Sequence, residues 1–389
     1  MADPAIDGRV LYDRAQELAF PRYPGTEGDR RAIEIVRSWF SAAGLEVSEE
    51  AFSYDVRPAF RALRTLLAVC AALVSGSALW ARERPLVALA LLGVALTGAG
   101  VFLGWAPWLE RIYRREGPTE TANVVGVRRA RPGPPRRTLV VLAHHDSKSQ
   151  SLTLPWRAAA TLGAILGVLA LATVELTVLV AGPVAAPWLF VPGAVATIAL
   201  GSLATLRSGN LSPGGVDNAG SVAILAELAG PLARVVPEDI ELVFLSPGAE
   251  EDHMVGAMRW LDRHADALAG QPVFAINLDG AGIPGRVTLL ERYGFGRWFS
   301  PKLSALAREA AGALGLRARG VALPPAMGVD AIPFAHRGIE SLTLATGSLG
   351  RAALAVHSRH DRGDNLEPQA LAQVAHLVRE MVLRLATGA

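Results

Sequence analysis

The sequence predicts a three-layer α/β domain with a mixed, largely parallel sheet, interrupted by two inserted transmembrane helical hairpins. Three observations predict it. Short apolar runs rich in branched side chains alternate with helical patterns along the polar stretches, the order expected of a sheet covered by helices. Four long, nearly uncharged runs fall in two pairs. The whole chain of 389 residues is 51% hydrophobic and 19% charged, with mean hydropathy +0.30, more apolar than a soluble domain needs.

Taken in order, Thr26-Glu27-Gly28-Asp29 has the form of a capping box, and Ile33, Val36 and Phe40 follow at helical spacing until Gly44 stops the helix. LEVSEEAFSYDV then alternates as a strand. The first apolar pair covers about 65–81 and 85–109, separated by Arg82-Glu83-Arg84. The second covers about 158–181, broken only by Glu175, and 188–206 after Gly182, Pro183 and Pro187. Each run is long enough to cross a bilayer, which makes lipid a partner. TANVVGV, RTLVVLAHHD, IELVFLSPG, PVFAINLDG, RVTLLE and IESLTLAT read as strands, several too continuous for one wet face and suited to the middle of a sheet. Between them, SVAILAELAGPLARV, AMRWLDRHADAL, PKLSALAREAAGAL and a last segment with Leu371, Val374, Leu377, Val378 and Met381 read as helices. The expected organisation is a polar domain in three pieces, 1–58, 111–157 and 207–389, with hairpins at 59–110 and 158–206.

Two hairpins return the chain to the side it left, so all the polar mass shares one face. Arg57, Arg61, Arg64, Arg111, Arg114, Arg115, Arg157 and Arg207 flank the spans there, against Arg82 and Arg84 on the far side. The positive-inside rule places that face in the cytoplasm and makes the protein multi-pass and integral. The charged opening, with no apolar stretch before Thr65, predicts no cleavable signal peptide. A net charge of +2 without a basic stripe argues against nucleic acid as a partner. The single cysteine, Cys70, excludes a disulfide framework and a cysteine zinc site. The sequence names no protein partner.

Chemistry-bearing residues gather where the strand patterns end. His144 and Asp146 close RTLVVLAHHD; two apart on a strand, one binds a metal while the other braces its imidazole. Asp217 heads the helix that GGVDNAGS opens, as a bridging carboxylate or a simple cap. Glu250-Glu251 follows IELVFLSPGA, Asp279 ends FAINLD, and His357 opens HSRHD. Two imidazoles and three carboxylates, His144, Asp217, Glu251, Asp279 and His357, suit two zinc ions with open water positions. Two zinc ions would balance the charges of Asp217, Glu250, Glu251 and Asp279, which would otherwise repel one another. His145, Asp252 and His253 read as loop or surface residues, and Asp330 and Asp361 as supporting groups behind the ligands. Glu175 reads as a bundle-facing or snorkelling acid, or as a contact for substrate or an ion.

AHHDS, GGVDNAGS, GAEED, NLDG and HSRHD, in that order, together with RYPGTEGDRRA and VDAIPFAHRGIES, resemble the zinc exopeptidases of the M28 aminopeptidase family. The resemblance spans about the whole polar domain. It implies an aminopeptidase with a zinc-exopeptidase-like fold, two zinc ions per chain and peptide substrates; the two hairpins, the larger departure from the family's pattern, make it membrane-bound. His144 and Asp279 would hold one ion, Glu251 and His357 the other, and Asp217 would bridge them. Glu250 would be the general base, with Asp146 behind the ligands. Val216, where the family often has a second acid, and DHMVGA, after Glu251, depart from the pattern without removing a ligand. Two alternatives remain open at this stage: a single-zinc, glutaminyl-cyclase-like enzyme, and a catalytically silent membrane scaffold or receptor-like protein.

Overall fold

The computed structural model describes residues 6–104, 113–294, 296–323, 327–347 and 351–388. The chain divides into two units: Met1–Tyr54, Glu116–Ser149 and Gly209–Ala389 form one, and Asp55–Arg115 and Gln150–Ser208 form the other.

The first unit is a mixed, largely parallel sheet covered on both faces. It begins with helix α1 (Gly8–Leu18) and helix α2 (Glu27–Ala42). The Thr26 hydroxyl caps α2 by accepting from the Asp29 amide, and Ile33, Val36 and Phe40 face the core, as their spacing requires. The main strands are β1 (Glu46–Tyr54), β2 (Thr119–Arg128), β3 (Arg137–Leu142), β4 (Ile240–Ser246), β5 (Val273–Leu278), β6 (Val287–Tyr293), β7 (Ala318–Ala322) and β8 (Glu340–Thr346). Their order across the sheet is β1-β2-β4-β3-β5-β8-β6-β7. The central strands β4, β3, β5 and β8 are mutually parallel, while β1, β2 and β4 pair antiparallel in turn and β6 runs antiparallel to β8.

Alternation along the central strands explains the continuous apolar runs. Leu139, Val141, Leu242, Phe244, Phe274, Ile276, Leu342 and Leu344 face one side, where α1, α2, α7 (Gly220–Val235) and α11 (Pro368–Thr387) supply Leu11, Val36, Leu228 and Val378. Val140, Leu142, Val243, Leu245 and Ala275 face the other. There they meet Trp260 of α8 (Val255–Arg263) and Phe334 of α10 (Ala331–His336), whose rings stack at 5.7 Å. Truncating a side chain such as Leu142 to Ala would leave a cavity on a face with no solvent to fill it, at a cost of about 2–5 kcal/mol. Because β3, β4, β5 and β8 run the same way, the residues after Leu142, Ser246, Leu278 and Thr346 emerge along one edge.

Among the described residues, the second unit contains four helices long and apolar enough to cross a membrane: α3 (Arg57–Trp80), α4 (Pro85–Gly104), α5 (Leu154–Ala181) and α6 (Pro187–Ala204). Residues 105–109, the expected end of the second span, lie outside the described residues. Small residues let the helices approach closely. A Cβ on Gly167 would collide with the Pro192 carbonyl oxygen, and one on Gly193 with the Ala78 methyl group. Cys70, Val74, Leu92, Leu171, Val178 and Leu189 fill the bundle interior. Glu175 is buried there and accepts a hydrogen bond from Ser77 on α3, whose hydroxyl also contacts the Ala88 carbonyl.

Candidate metal centre

Parallel strand ends bring the candidate ligands together. His144 and Asp146 lie just past β3, and the Glu250-Glu251 turn follows β4. Asp279 is the first residue beyond β5, and His357 follows β8. Asp217 sits in a widened turn, Gly215–Ala219, at the head of α7, and its peptide bond to Asn218 is cis. The Asn218 side chain fixes that turn to the end of β5: it donates to the Leu278 carbonyl at 2.9 Å and accepts from the Gly280 amide at 3.2 Å.

All five candidate ligands converge in two overlapping groups, His144, Asp217 and Asp279, and Asp217, Glu251 and His357. Asp217 belongs to both. Its Oδ1 lies 3.2 Å from His144 Nε2, and its Oδ2 lies 3.1 Å from His357 Nε2. Glu251 Oε2 is 3.0 Å from the same His357 nitrogen, and Asp279 Oδ1 is 3.9 Å from His144 Nε2. Among the described residues, His144 Nε2 and Asp217 Oδ1 are buried atoms with no hydrogen-bond partner. Two buried lone-pair donors aimed at one another call for a cation between them, so the donor set fits a divalent metal.

The supporting groups explain this convergence. Asp146 is fully buried; its two oxygens accept the amides of Glu250 and Glu251, each at 3.1 Å, and Oδ1 lies 3.4 Å from His144 Nδ1. One carboxylate thus orients an imidazole and the turn carrying two acids. Asp361 holds the Asp217 turn from the other side, accepting from the Val216 amide at 2.8 Å and the Asp217 amide at 3.3 Å. Ala249, His253, Met254 and His357 all have positive φ. These left-handed conformations cost side-chain-bearing residues energy, and they surround the acidic turn and the late histidine.

Electrostatics follow from crowding. Burial opposes the charge on His144, but Glu250 and the nearby carboxylates of Asp146, Asp217 and Asp279 outweigh it and hold the imidazole well above its ordinary range. Burial pushes Glu250 well above the usual carboxylate range; His144 opposes, and Asp279, Asp330 and Glu251 add to it. Burial also works against ionised Glu251, yet His357 and Lys148 pull it down to about 2. Asp217 lies well below the ordinary range because its two histidines overcome burial. Asp361 is pushed up to about 7 by burial and by Asp217.

The structure brings together every residue that the sequence pattern selected and changes the reading of two neighbours. His145 and Asp252 lie in loops but are buried, not at the surface. His145 lies 3.6 Å from Asp29, and Asp252 accepts the hydroxyls of Tyr23 at 2.9 Å and Tyr54 at 2.8 Å. His253 is partly buried. Asp330 is fully buried, and both its oxygens lack a hydrogen-bond partner among the described residues. Two cations escaped the sequence reading: Arg22, and Lys148, whose ammonium lies 2.9 Å from Glu251 Oε2. Lys148 being one of only two lysines in the chain was the available signal.

In a largely parallel sheet ligands bind beyond the carboxyl ends of the strands, which is where these imidazoles and carboxylates gather. Residues 194–382 match the profile of Peptidase family M28. Asp217, Glu250, Glu251, Asp279 and His357 lie inside the match; His144 and Asp146 precede it. The fold is similar to that of an aminopeptidase from Aneurinibacillus (TM-score 0.59, 14% identity, covering 97% of this chain and 93% of that one). It is similar also to a zinc aminopeptidase from Bacillus subtilis (0.59, 14%, 97% and 95%) and to a glutaminyl cyclase from Fimbriiglobus ruber (0.56, 15%, 98% and 97%). No curated protein matches the chain.

Proposed function

We propose that the chain is a membrane-bound, zinc-dependent exopeptidase, an aminopeptidase that holds two zinc ions. The observation that carries this reading is the pair of ligand groups sharing Asp217, with Glu250 beside them. His144, Asp217 and Asp279 would hold one ion, and Asp217, Glu251 and His357 the other. When bound, zinc lowers the pKa of water and polarises a peptide carbonyl. Glu250 Oε2 stands 3.8 Å from His144 Nε2, at the edge of the first group and outside both ligand sets. Its raised affinity for a proton suits a base that takes a proton from the attacking water and passes it to the departing amine. Asp146 holds the turn that carries Glu250 and Glu251 by accepting both of their amides.

The four apolar helices would place residues 59–110 and 158–206 in the bilayer and leave 1–58, 111–157 and 207–389 as the catalytic domain. Outward-facing Leu86, Val94, Leu169, Val180 and Ile198 support this, since side chains of this kind would expose contiguous apolar surface to water. The arginine bias supports a cytoplasmic catalytic domain.

A second reading, a single-zinc cyclase acting on glutaminyl peptides, draws on the likeness to a glutaminyl cyclase. One experiment separates them. Detergent-purified protein is given a mixed peptide library with and without chelator and zinc add-back, with Glu250→Gln as the blank, and zinc per chain is counted. Metal-dependent trimming from the amino end, lost in Glu250→Gln by about 10²–10⁴-fold, with two zinc ions bound, is the expected result. Ammonia release from glutaminyl peptides with one zinc ion, or zinc binding without turnover of either substrate, would replace the aminopeptidase reading.

A further inference from the structure

Arg22 lies between α1 and α2, far in sequence from every ligand, and is fully buried. Its guanidinium meets main-chain carbonyls: Nη1 donates to Leu18 at 2.9 Å and Phe20 at 3.1 Å, Nη2 to Gly214 at 2.8 Å, and further bonds reach His145 and Pro213. The Arg22 amide donates to Ser147 Oγ at 3.2 Å, and that hydroxyl donates to the Ser212 carbonyl at 3.0 Å. Two of these acceptors matter most. The His145 carbonyl belongs to the residue after ligand His144, and the Gly214 carbonyl opens the turn that carries ligand Asp217.

The turn itself is built around this contact. Gly214 has a positive φ, and a Cβ there would stand 2.9 Å from Arg22 Nη1, 2.6 Å from Ser147 Cβ and 2.5 Å from the Asp217 carbonyl oxygen. Only glycine lets the guanidinium come this close. Asp361 takes the amides of the same turn, so the segment from Gly214 to Asp217 is gripped by a cation on its carbonyls and an anion on its amides. Among the described residues no carboxylate pairs directly with this buried cation, which is costly, and burial lowers the Arg22 pKa to about 10; the charges of Asp361, Asp146, Asp217 and Glu251 act against that loss.

We infer that Arg22 is a positioning residue of the metal centre, whose guanidinium ties the loop bearing His144 to the turn bearing Asp217 and so fixes the spacing of these two ligands. The inference rests on the reading of the cluster as a zinc site. The five donors of a planar fork suit carbonyls arriving from three directions, which an ammonium cannot match. The N-terminal arm is therefore part of the metal site without contributing a ligand.

The test measures zinc affinity of the full-length protein in detergent by competition with a chromophoric chelator, and records the visible spectrum of the cobalt-substituted form. Wild type, Arg22→Met, Arg22→Lys and Gly214→Ala are compared, with Arg37→Met as a surface control. The expected result is about a 10–100-fold loss of affinity in Arg22→Met, a smaller loss in Arg22→Lys and Gly214→Ala, and an altered cobalt spectrum in all three. Folding is followed by far-UV circular dichroism. If Arg22→Met does not fold, Arg22→Lys and Gly214→Ala decide the matter by the same readouts. A folded Arg22 or Gly214 variant whose zinc affinity stays within about twofold of wild type, with an unchanged cobalt spectrum, overturns the inference. Failure of wild type to bind zinc would instead overturn the zinc reading on which it stands.

Discussion

Replacing Asp146 by Ala tests the arrangement most directly, because one buried carboxylate holds both the His144 ring and the Glu250-Glu251 turn. The substitution removes two charge-assisted acceptors, at 3.1 Å from each of two amides. It leaves those amides buried beside His144. Each bond to a charged group is worth about 1.5–3 kcal/mol, giving a loss of about 3–6 kcal/mol. For a domain of this size about 1 kcal/mol shifts the melting temperature by about 2–4 °C, so the zinc-loaded variant should melt at least about 6 °C below wild type. The His144 ring also loses the group that fixes its orientation, which should lower zinc affinity by about 10–100-fold. Differential scanning calorimetry and chelator competition on detergent-purified protein measure both. An Asp146→Ala variant that melts within about 2 °C of wild type with unchanged zinc affinity would refute the claim that this carboxylate organises the site.

Zinc removal should itself lower the melting temperature, because ions that bind only the folded state stabilise it and the freed carboxylates then repel; add-back should restore it, and a chelator-insensitive melt would count against a structural contribution from metal. In the zinc-free protein, burial pushes Asp252 from 3.8 up to about 6, against the pull of Lys148 and the Tyr54 and Tyr23 hydroxyls. A carboxyl with a raised folded-state pKa costs nothing below about pH 4 and progressively more up to about pH 6, about 3 kcal/mol in all. Stability of the zinc-free form should therefore fall between about pH 4 and 6, and Asp252→Asn should flatten that part of the profile; an equal slope in both proteins would remove Asp252 as its source. In the helical unit, Gly167→Leu would drive a side chain into the Pro192 carbonyl and Ala196, costing about 1–3 kcal/mol or more. Proteolysis within 150–208 should then rise while zinc affinity holds, and unchanged proteolysis would show that the close approach is not needed.

The central strands and the clustering of the candidate site residues were legible because their signals are local. β3, β4 and β5 are buried on both faces and so appear as unbroken apolar runs, and each acidic or histidine residue stands next to such a run. Other parts were not. In α1 only Leu11, Ala15 and Leu18 are buried, a thin stripe among charged neighbours. β7 is an edge strand of sequence ARGVA without a buried face of its own. The burial of Asp252 in its turn was not legible because nothing nearby in sequence says that Tyr54, 198 positions earlier, donates to it. The burial of His145, facing Asp29, was hidden for the same reason. The third helix of the second unit begins at Leu154, four residues before its uncharged run, because Pro155 suits a first helical turn and Arg157 continues it.

The interruption of the first unit also fixes an order of events during synthesis. His144 leaves the ribosome before the second apolar hairpin and Asp217 after it, so no ligand group containing Asp217 can close until that hairpin has been made. His357 comes about 140 residues later still. At about 5–20 residues per second, the 78 residues from Asp279 to His357 take about 4–16 seconds, in which His144, Asp217 and Asp279 can meet while the group that needs His357 cannot. The two halves of the centre thus become available one after the other, and a nascent chain that reaches Asp279 already carries a complete first set of donors.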